Sequence, residues 1–320
     1  MINLLLDNGK IIAFVGILFA FIATCIFTSV CSKWLPKDMG RAFAHDGTKS
    51  AGKPRGAGII FVLVFVAAAF LFAQINLELS IYILIVAFEM FTGFFDDAAE
   101  KPWGELKKGI LDFILAAVVA VVFLHYNSNV ITIGITGTQI TLHPVVFAIL
   151  TVILVWVSIN VTNCSDGVDG LSGTLTIITL MTIYVINYIK GSTSSFNYLI
   201  LVFVVCILGY LWYNATPSKL LMGDAGSRAM GIFISIAALK MGMPFLYIPV
   251  AIVLILDGGL GLIKVSLIRF CKIHILKNTR TPLHDHVRKV KDWSNTQTVF
   301  RFAIIQIVVS LATVYLVSMV

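Results

Sequence analysis

The sequence predicts an all-α integral membrane protein of about ten transmembrane helices, with both termini outside and an active site on the cytoplasmic face. Three observations predict it: the composition, the recurrence of long apolar runs, and the one-sided placement of lysine and arginine. Of 320 residues, 59% are hydrophobic and 12% charged. A soluble domain is nearer to about half apolar and about a quarter charged, so lipid is the expected solvent for most of this chain. The mean hydropathy of +0.97 agrees.

A spanning helix needs about 20 mostly apolar residues. Ten segments approach that length: 11–32, 57–75, 79–95, 109–125, 144–160, 171–189, 197–213, 227–243, 246–268 and 299–319. The first is longer than a signal-peptide core and no small-residue cleavage site follows it, so it is expected to remain as a span. The third ends at "FFDDAAEK" (94–101) and the fifth runs into "NVTNCSDGVDGLSG" (160–173). The eighth begins behind "LMGDAGS" (221–227), and the ninth is interrupted by "DGGLG" (257–261). Helices rather than barrel strands are expected, because these runs are long, carry few turn signals and can satisfy their backbone internally. No linker and no internal repeat divides the chain, so residues 1–320 read as one membrane domain.

Orientation follows from the basic residues. One set of connections and their edges carries 20 lysines and arginines, and the alternate side holds only Lys10, Lys190 and Lys240. The rich side is the cytoplasmic one. The formal charge of +7 therefore lies along one membrane face, beside lipid headgroups, and is no sign of nucleic acid. The five cysteines are scattered through apolar runs without a CxxC pair and read as buried small hydrophobes. Three N-glycosylation patterns, "NVT", "NCS" and "NAT", fall on the predicted cytoplasmic face and are discounted.

Acidic residues contribute little to topology and so are freer to report function. Three groups share one arrangement, aspartate where an apolar run ends or begins: Asp96 and Asp97, Asp166 and Asp169, and Asp224. Adjacent carboxylates repel unless a cation or proton intervenes. Together these offer hard oxygen ligands of the kind that suit Mg²⁺, which keeps waters and recruits substrate phosphates. Glycine beside the last two groups allows close approach of backbone to a ligand.

Asn160, Asn163, Asp166 and Asp169 are each three residues from the next. On an α-helix three such steps turn the side-chain direction by about 180°. Convergence of all four therefore requires the helix to end or tighten near Gly167. In the last loop, His284 and His286 flank Asp285 amid basic residues; H-x-H is too little for zinc and fits phosphate contact or proton handling.

These residues resemble the polyprenyl-phosphate N-acetylhexosamine-1-phosphate transferases. The resemblance covers nearly the whole chain and rests on "GFFDD" (93–97), "NVTNCSDGVDGLSG" (160–173), "NATPSKLLMGDAGSRAMG" (214–231) and "RTPLHDHVRKVKDWS" (280–294). It implies transfer of a phospho-sugar from a UDP-sugar to undecaprenyl phosphate, with Mg²⁺ and release of UMP, in the bacterial plasma membrane, and it allows a homodimer. By motif, Asp96, Asp97, Asp224, His284 and Lys108 (or its neighbour Lys107) are the expected catalytic residues. Asp224 and Asp169 are the expected metal ligands. Substrate contacts are expected from Asn160, Asn163, Asp166, Asp169, Asn214, Leu221, Gly223, His286 and Lys49. The sequence around "PLHDH" and "DWSNTQTVFRF" tips the resemblance toward members using UDP-MurNAc-pentapeptide over UDP-GlcNAc. The chain departs from the family pattern at Glu100, at Leu221, where an aromatic is expected, at Asp285, and at Lys53 and Arg55 within "GKPRGAG" (52–58).

The rival from another class is an ion-coupled transporter, for which Glu89, Asp112 and Asp257 lie inside predicted spans. They are fewer and less clustered than the loop acids, and no inverted repeat accompanies them.

Overall fold

The computed structural model describes residues 9–40, 50–192 and 195–320. It is helical, and every predicted span falls on a helix. In chain order these are α1 (Gly9–Cys31), α2 (Gly58–Phe72), α3 (Leu77–Ala98), α4 (Glu105–Tyr126), α5 (Pro144–Cys164), α6 (Leu171–Ile189), α7 (Ser195–Asn214) and α8 (Gly223–Lys240). A broken pair follows, α9 (Pro244–Val250) and α10 (Ile252–Cys271), then a short α11 (Leu283–Val290) and a final α12 (Asn295–Ser318).

Seven of these helices are long and apolar enough to cross a membrane, and eight if the broken pair counts as one span. The chain is an all-α integral membrane protein. Of the remaining predicted spans, α2 has only 15 residues, about 22 Å of helix against about 30 Å of hydrocarbon. The ninth predicted span is bent by 71° at Ala251, ahead of "DGGLG". The "DGG" stretch itself lies in a π-helical turn, Ile255–Gly259, which widens the helix by one residue without breaking it.

Local signals set the helix ends. Asn76 caps α3 by accepting from the Leu79 amide at 2.8 Å. Pro144 opens α5 at a position where its missing N–H costs nothing. Ser294 and Gln297 form a reciprocal capping box on α12. One element was not expected from the sequence: a two-stranded antiparallel ribbon pairing Val130–Thr132 with Gln139–Thr141. Its β-branched residues lie on either side of Gly134 and Gly137, in a connection that hydropathy reads only as a gap.

The centre of the molecule is α8. Every residue from Gly223 to Leu239 is buried, because α2, α3, α5 and α6 all pack on it, α3 and α5 most extensively. A helix enclosed on all sides needs no amphipathic stripe, and its small residues let neighbours close in. Gly93 of α3 shows how closely: a Cβ there would run into the Asp224 carbonyl and lie 2.6 Å from the Ala225 amide. Gly93→Ala is expected to lower stability by about 1–3 kcal/mol through overpacking, read as a fall in the midpoint of thermal unfolding in detergent.

Candidate active site

Three helix ends and the segment before α2 meet at a charged centre. Asp96 and Asp97 lie in the last turn of α3, Lys108 in the first turn of α4 and Asp224 in the first turn of α8. Lys108 Nζ pairs with Asp96 and sits 3.0 Å from Asp224 Oδ2. Arg55, from the loop before α2, approaches three further oxygens: Asp97 Oδ1 at 2.9 Å, Asp38 Oδ1 at 3.5 Å and Asp224 Oδ1 at 3.7 Å. The Ala225 amide donates to Asp97 Oδ2 at 3.1 Å, and the Trp103 amide to Asp96 Oδ1 at 2.6 Å. Burial alone would lower the Arg55 pKa; Asp97, Asp224, Asp38 and Asp96 outweigh it and raise the guanidinium above its ordinary value. Lys107, by contrast, lies over the Trp103 ring at 3.2 Å, so Lys108 is the lysine of this pair that reaches the centre.

Two cavities adjoin here. The smaller, about 300 Å³, is lined by Lys37, Asp38, Arg55, Asp96, Asp97, Lys108 and Asp224. The larger, about 400 Å³, is lined by Asp166, Asp169, Asn214, Leu221 and Gly223, with Lys53, Arg288 and Asn295 at its walls. Its floor is tied together by polar contacts. Asn214 accepts from the Gly170 amide at 2.8 Å and donates to the Leu220 carbonyl at 2.9 Å. Asp169 accepts from the Ser218 amide at 3.1 Å, Lys53 donates to the Ser218 hydroxyl at 2.9 Å, and Ser172 donates to Asp166 at 2.6 Å. Gly223, at φ +70°, leaves no room for a Cβ against Asp97 Oδ2, which explains glycine at the seam between the cavities.

The structure therefore brings Asp96, Asp97, Lys108 and Asp224 together in one cavity, and Asp166, Asp169, Asn214, Leu221 and Gly223 in the other. Other expected residues lie apart from these two groups. Helix α5 ends at Cys164, close to Gly167 as expected, yet of the four spaced polar residues only Asp166 and Asp169 line the larger cavity. Asn160 stays inside the last turns of α5 and donates to Asp112 Oδ2 at 3.2 Å, and Asn163 lines neither cavity. The expected metal pair is also split: Asp224 faces the smaller cavity and Asp169 the larger. Among the described residues no three His, Cys, Asp or Glu side chains group as a metal site. The three central carboxylates face the two cations Lys108 and Arg55.

His284 is buried behind the larger cavity. Its amide donates to Asp257 Oδ1 and its Nδ1 lies 2.8 Å from Asp257 Oδ2, while its ring packs on Gly167. His286 turns away, accepting from the Arg280 amide at 3.3 Å. Lys49 lies outside the described residues, as do Arg41 and Asp46. The acids weighed for ion transport are matched instead: Arg228 of α8 pairs with Glu89 and Asp112, and Asp257 holds His284.

Sequence reasoning assigned no site role to Arg55, Asp38, Arg288 or Asn295, all of which line the cavities. Arg55 was visible as a topological base and as a departure from the family pattern within "GKPRGAG" (52–58). The signal that could have found it was its setting between Pro54 and Gly56, a turn-forming context in an otherwise apolar chain.

Fold and site together define a multi-pass membrane protein with its charged groups at clustered helix ends. The model for "Glycosyl transferase family 4" matches residues 78–242, more than half of the 320. A phospho-N-acetylmuramoyl-pentapeptide-transferase of Treponema pallidum (strain Nichols) is 38% identical over 292 residues, covering 86% of this chain and 80% of that protein. Proteins of the same name are similar in Wolbachia pipientis wMel (26% over 282 residues, 85% and 86% covered) and in Streptococcus pyogenes serotype M49 strain NZ131 (28% over 292 residues, 82% and 85% covered). The chain belongs to glycosyl transferase family 4, among the phospho-N-acetylmuramoyl-pentapeptide-transferases, and is a membrane phospho-sugar transferase.

Proposed function

We propose that this chain transfers phospho-MurNAc-pentapeptide from UDP-MurNAc-pentapeptide to undecaprenyl phosphate at the cytoplasmic face, releasing UMP. One observation carries the reading: Asp96, Asp97 and Asp224 share Lys108 and Arg55 in the smaller of two adjoining cavities, and Arg55 and Asp38 line both. The larger cavity suits the nucleotide-sugar, with amide, carboxylate and basic groups around Asn214, Asp169 and Arg288. The smaller suits the acceptor phosphate, whose lipid tail keeps it at the membrane face. The excess of basic residues on one side supports the cytoplasmic placement.

In the direct route an oxygen of the lipid phosphate attacks the sugar-linked phosphorus. A new P–O bond forms, the bond to the uridylyl oxygen breaks, and the electron pair leaves with UMP. Asp96 or Asp97 would orient or deprotonate the acceptor, and Lys108 and Arg55 would exchange carboxylate contacts for phosphate contacts. A double displacement through an aspartyl-phosphate uses the same groups, and inversion or retention at a chiral phosphorus separates the two. Asp224, with the Asp97 oxygen that is buried without a hydrogen bond, supplies hard donors fitted to Mg²⁺. A bound Mg²⁺ would neutralise pyrophosphate charge.

The test is UMP release by purified protein with undecaprenyl phosphate and Mg²⁺. Turnover with UDP-MurNAc-pentapeptide is expected to exceed that with UDP-GlcNAc by at least about 100-fold, the discrimination expected where a site uses groups that one substrate lacks. Preference for UDP-GlcNAc would replace this donor with the alternative one.

A further inference from the structure

Arg55 and Asp38 are the side chains shared by both cavities among the described residues, and Arg55 is the cation of that pair. Its backbone is held from two sides. The Arg55 amide donates to the Pro36 carbonyl at 2.8 Å, the Leu221 amide donates to the Pro54 carbonyl at 2.8 Å, and the Ala57 amide donates to the Leu221 carbonyl at 3.0 Å. The Arg55 backbone is thus fixed between the segment after α1 and the wall residue Leu221 of the larger cavity.

Its head is held more loosely. The contacts to Asp38 and Asp224, at 3.5 and 3.7 Å, are longer than N–H···O hydrogen bonds. The Asp97 oxygen 2.9 Å from Nε has no hydrogen bond of proper geometry. These are attractions between charges, not a locked fork. The arrangement leaves the planar N–H groups free to meet a better acceptor, and a phosphate takes a guanidinium in two parallel charge-assisted bonds. An arriving phosphate also has to overcome a centre in which four carboxylates face two cations.

We propose that Arg55 leaves its carboxylate partners to clamp the phosphoryl group under transfer, at the point where the two cavities meet. This rests on the phospho-sugar transfer argued above. The clamp acts while the lipid phosphate oxygen bonds to phosphorus and the electron pair departs with UMP, so it acts on turnover more than on capture of either substrate.

Arg55→Lys keeps the charge and removes the fork. Its kcat is expected to fall about 100-fold, the loss typical of one positioned donor to transition-state charge, with KM for donor and acceptor within a few-fold and an unchanged unfolding midpoint. Turnover of Arg55→Lys within about threefold of wild type would overturn the clamp and leave Arg55 a mere counter-charge. A second variant guards against a folding defect: Arg55→Ala with Asp38→Asn rebalances the local charge. The clamp requires this double variant to stay slow, and recovery to wild-type turnover would overturn it. Failure of the wild-type protein to release UMP from any UDP-sugar would instead sink the transfer reading, and the clamp with it.

Discussion

Asp224→Asn is expected to reduce turnover by about 10³-fold while the protein still folds, as measured by UMP release beside the thermal unfolding midpoint. Asp224 faces Lys108 at 3.0 Å and Arg55 at 3.7 Å from the first turn of α8. Asparagine preserves the shape and removes the charge that would hold a divalent cation against pyrophosphate, an effect worth several kcal/mol in transition-state stabilisation. The fold loses less. Lys108 keeps Asp96 as a partner, and an acid in the first turn of a helix contributes only about 0.3–1 kcal/mol through the helix dipole. Wild-type-like turnover by this variant would remove Asp224 from the chemistry.

The second large effect is on stability. Arg228 is 4% exposed and joins Glu89 of α3 at 2.8 Å and Asp112 of α4, with Asn160 of α5 also donating to Asp112. Removing one partner of such a buried set leaves uncompensated charge, at a cost of about 3–5 kcal/mol. Arg228→Met should lower stability by that amount, seen as loss of folded protein in denaturant titration. The triple variant Glu89→Gln, Asp112→Asn, Arg228→Met removes the charges together and should recover most of the loss, since exchanging a whole buried ion set for neutral groups is often close to neutral. Equal damage from the single and the triple would show that packing, not charge, is what Arg228 provides.

Helix positions were legible in the sequence because hydropathy reports which segments leave water. The same measure cannot tell a lipid-facing residue from one facing another helix, so nothing in it singled out α8 as the enclosed element. Arg228 illustrates the blindness: it counted as an edge-of-loop base, while its partners lie 139 and 116 residues away. Asp257 looked like a mid-membrane acid and proves to be the anchor of His284, a pairing made by the short helix α11 returning to a π-helical turn. The aspartate clusters were legible because acids at the ends of apolar runs are otherwise unexplained, whereas Lys108 entered only through the family resemblance, as one of two neighbouring lysines. Asn160 is regular in its spacing from Asp169, but it lies within α5 and bonds Asp112, whereas Asp169 lies beyond the helix end and lines the larger cavity.

The enclosure of α8 has a consequence for how the enzyme meets its membrane. Bilayers differ in thickness, and helices in contact with lipid answer by tilting or shifting at small cost per ångström. Asp224 rides on a helix that touches protein along its whole length, so such adjustments fall on the outer helices and are absorbed before they reach it. Asp224 is thereby insulated from the lipid's variations, while Lys108, on the outer helix α4, is not.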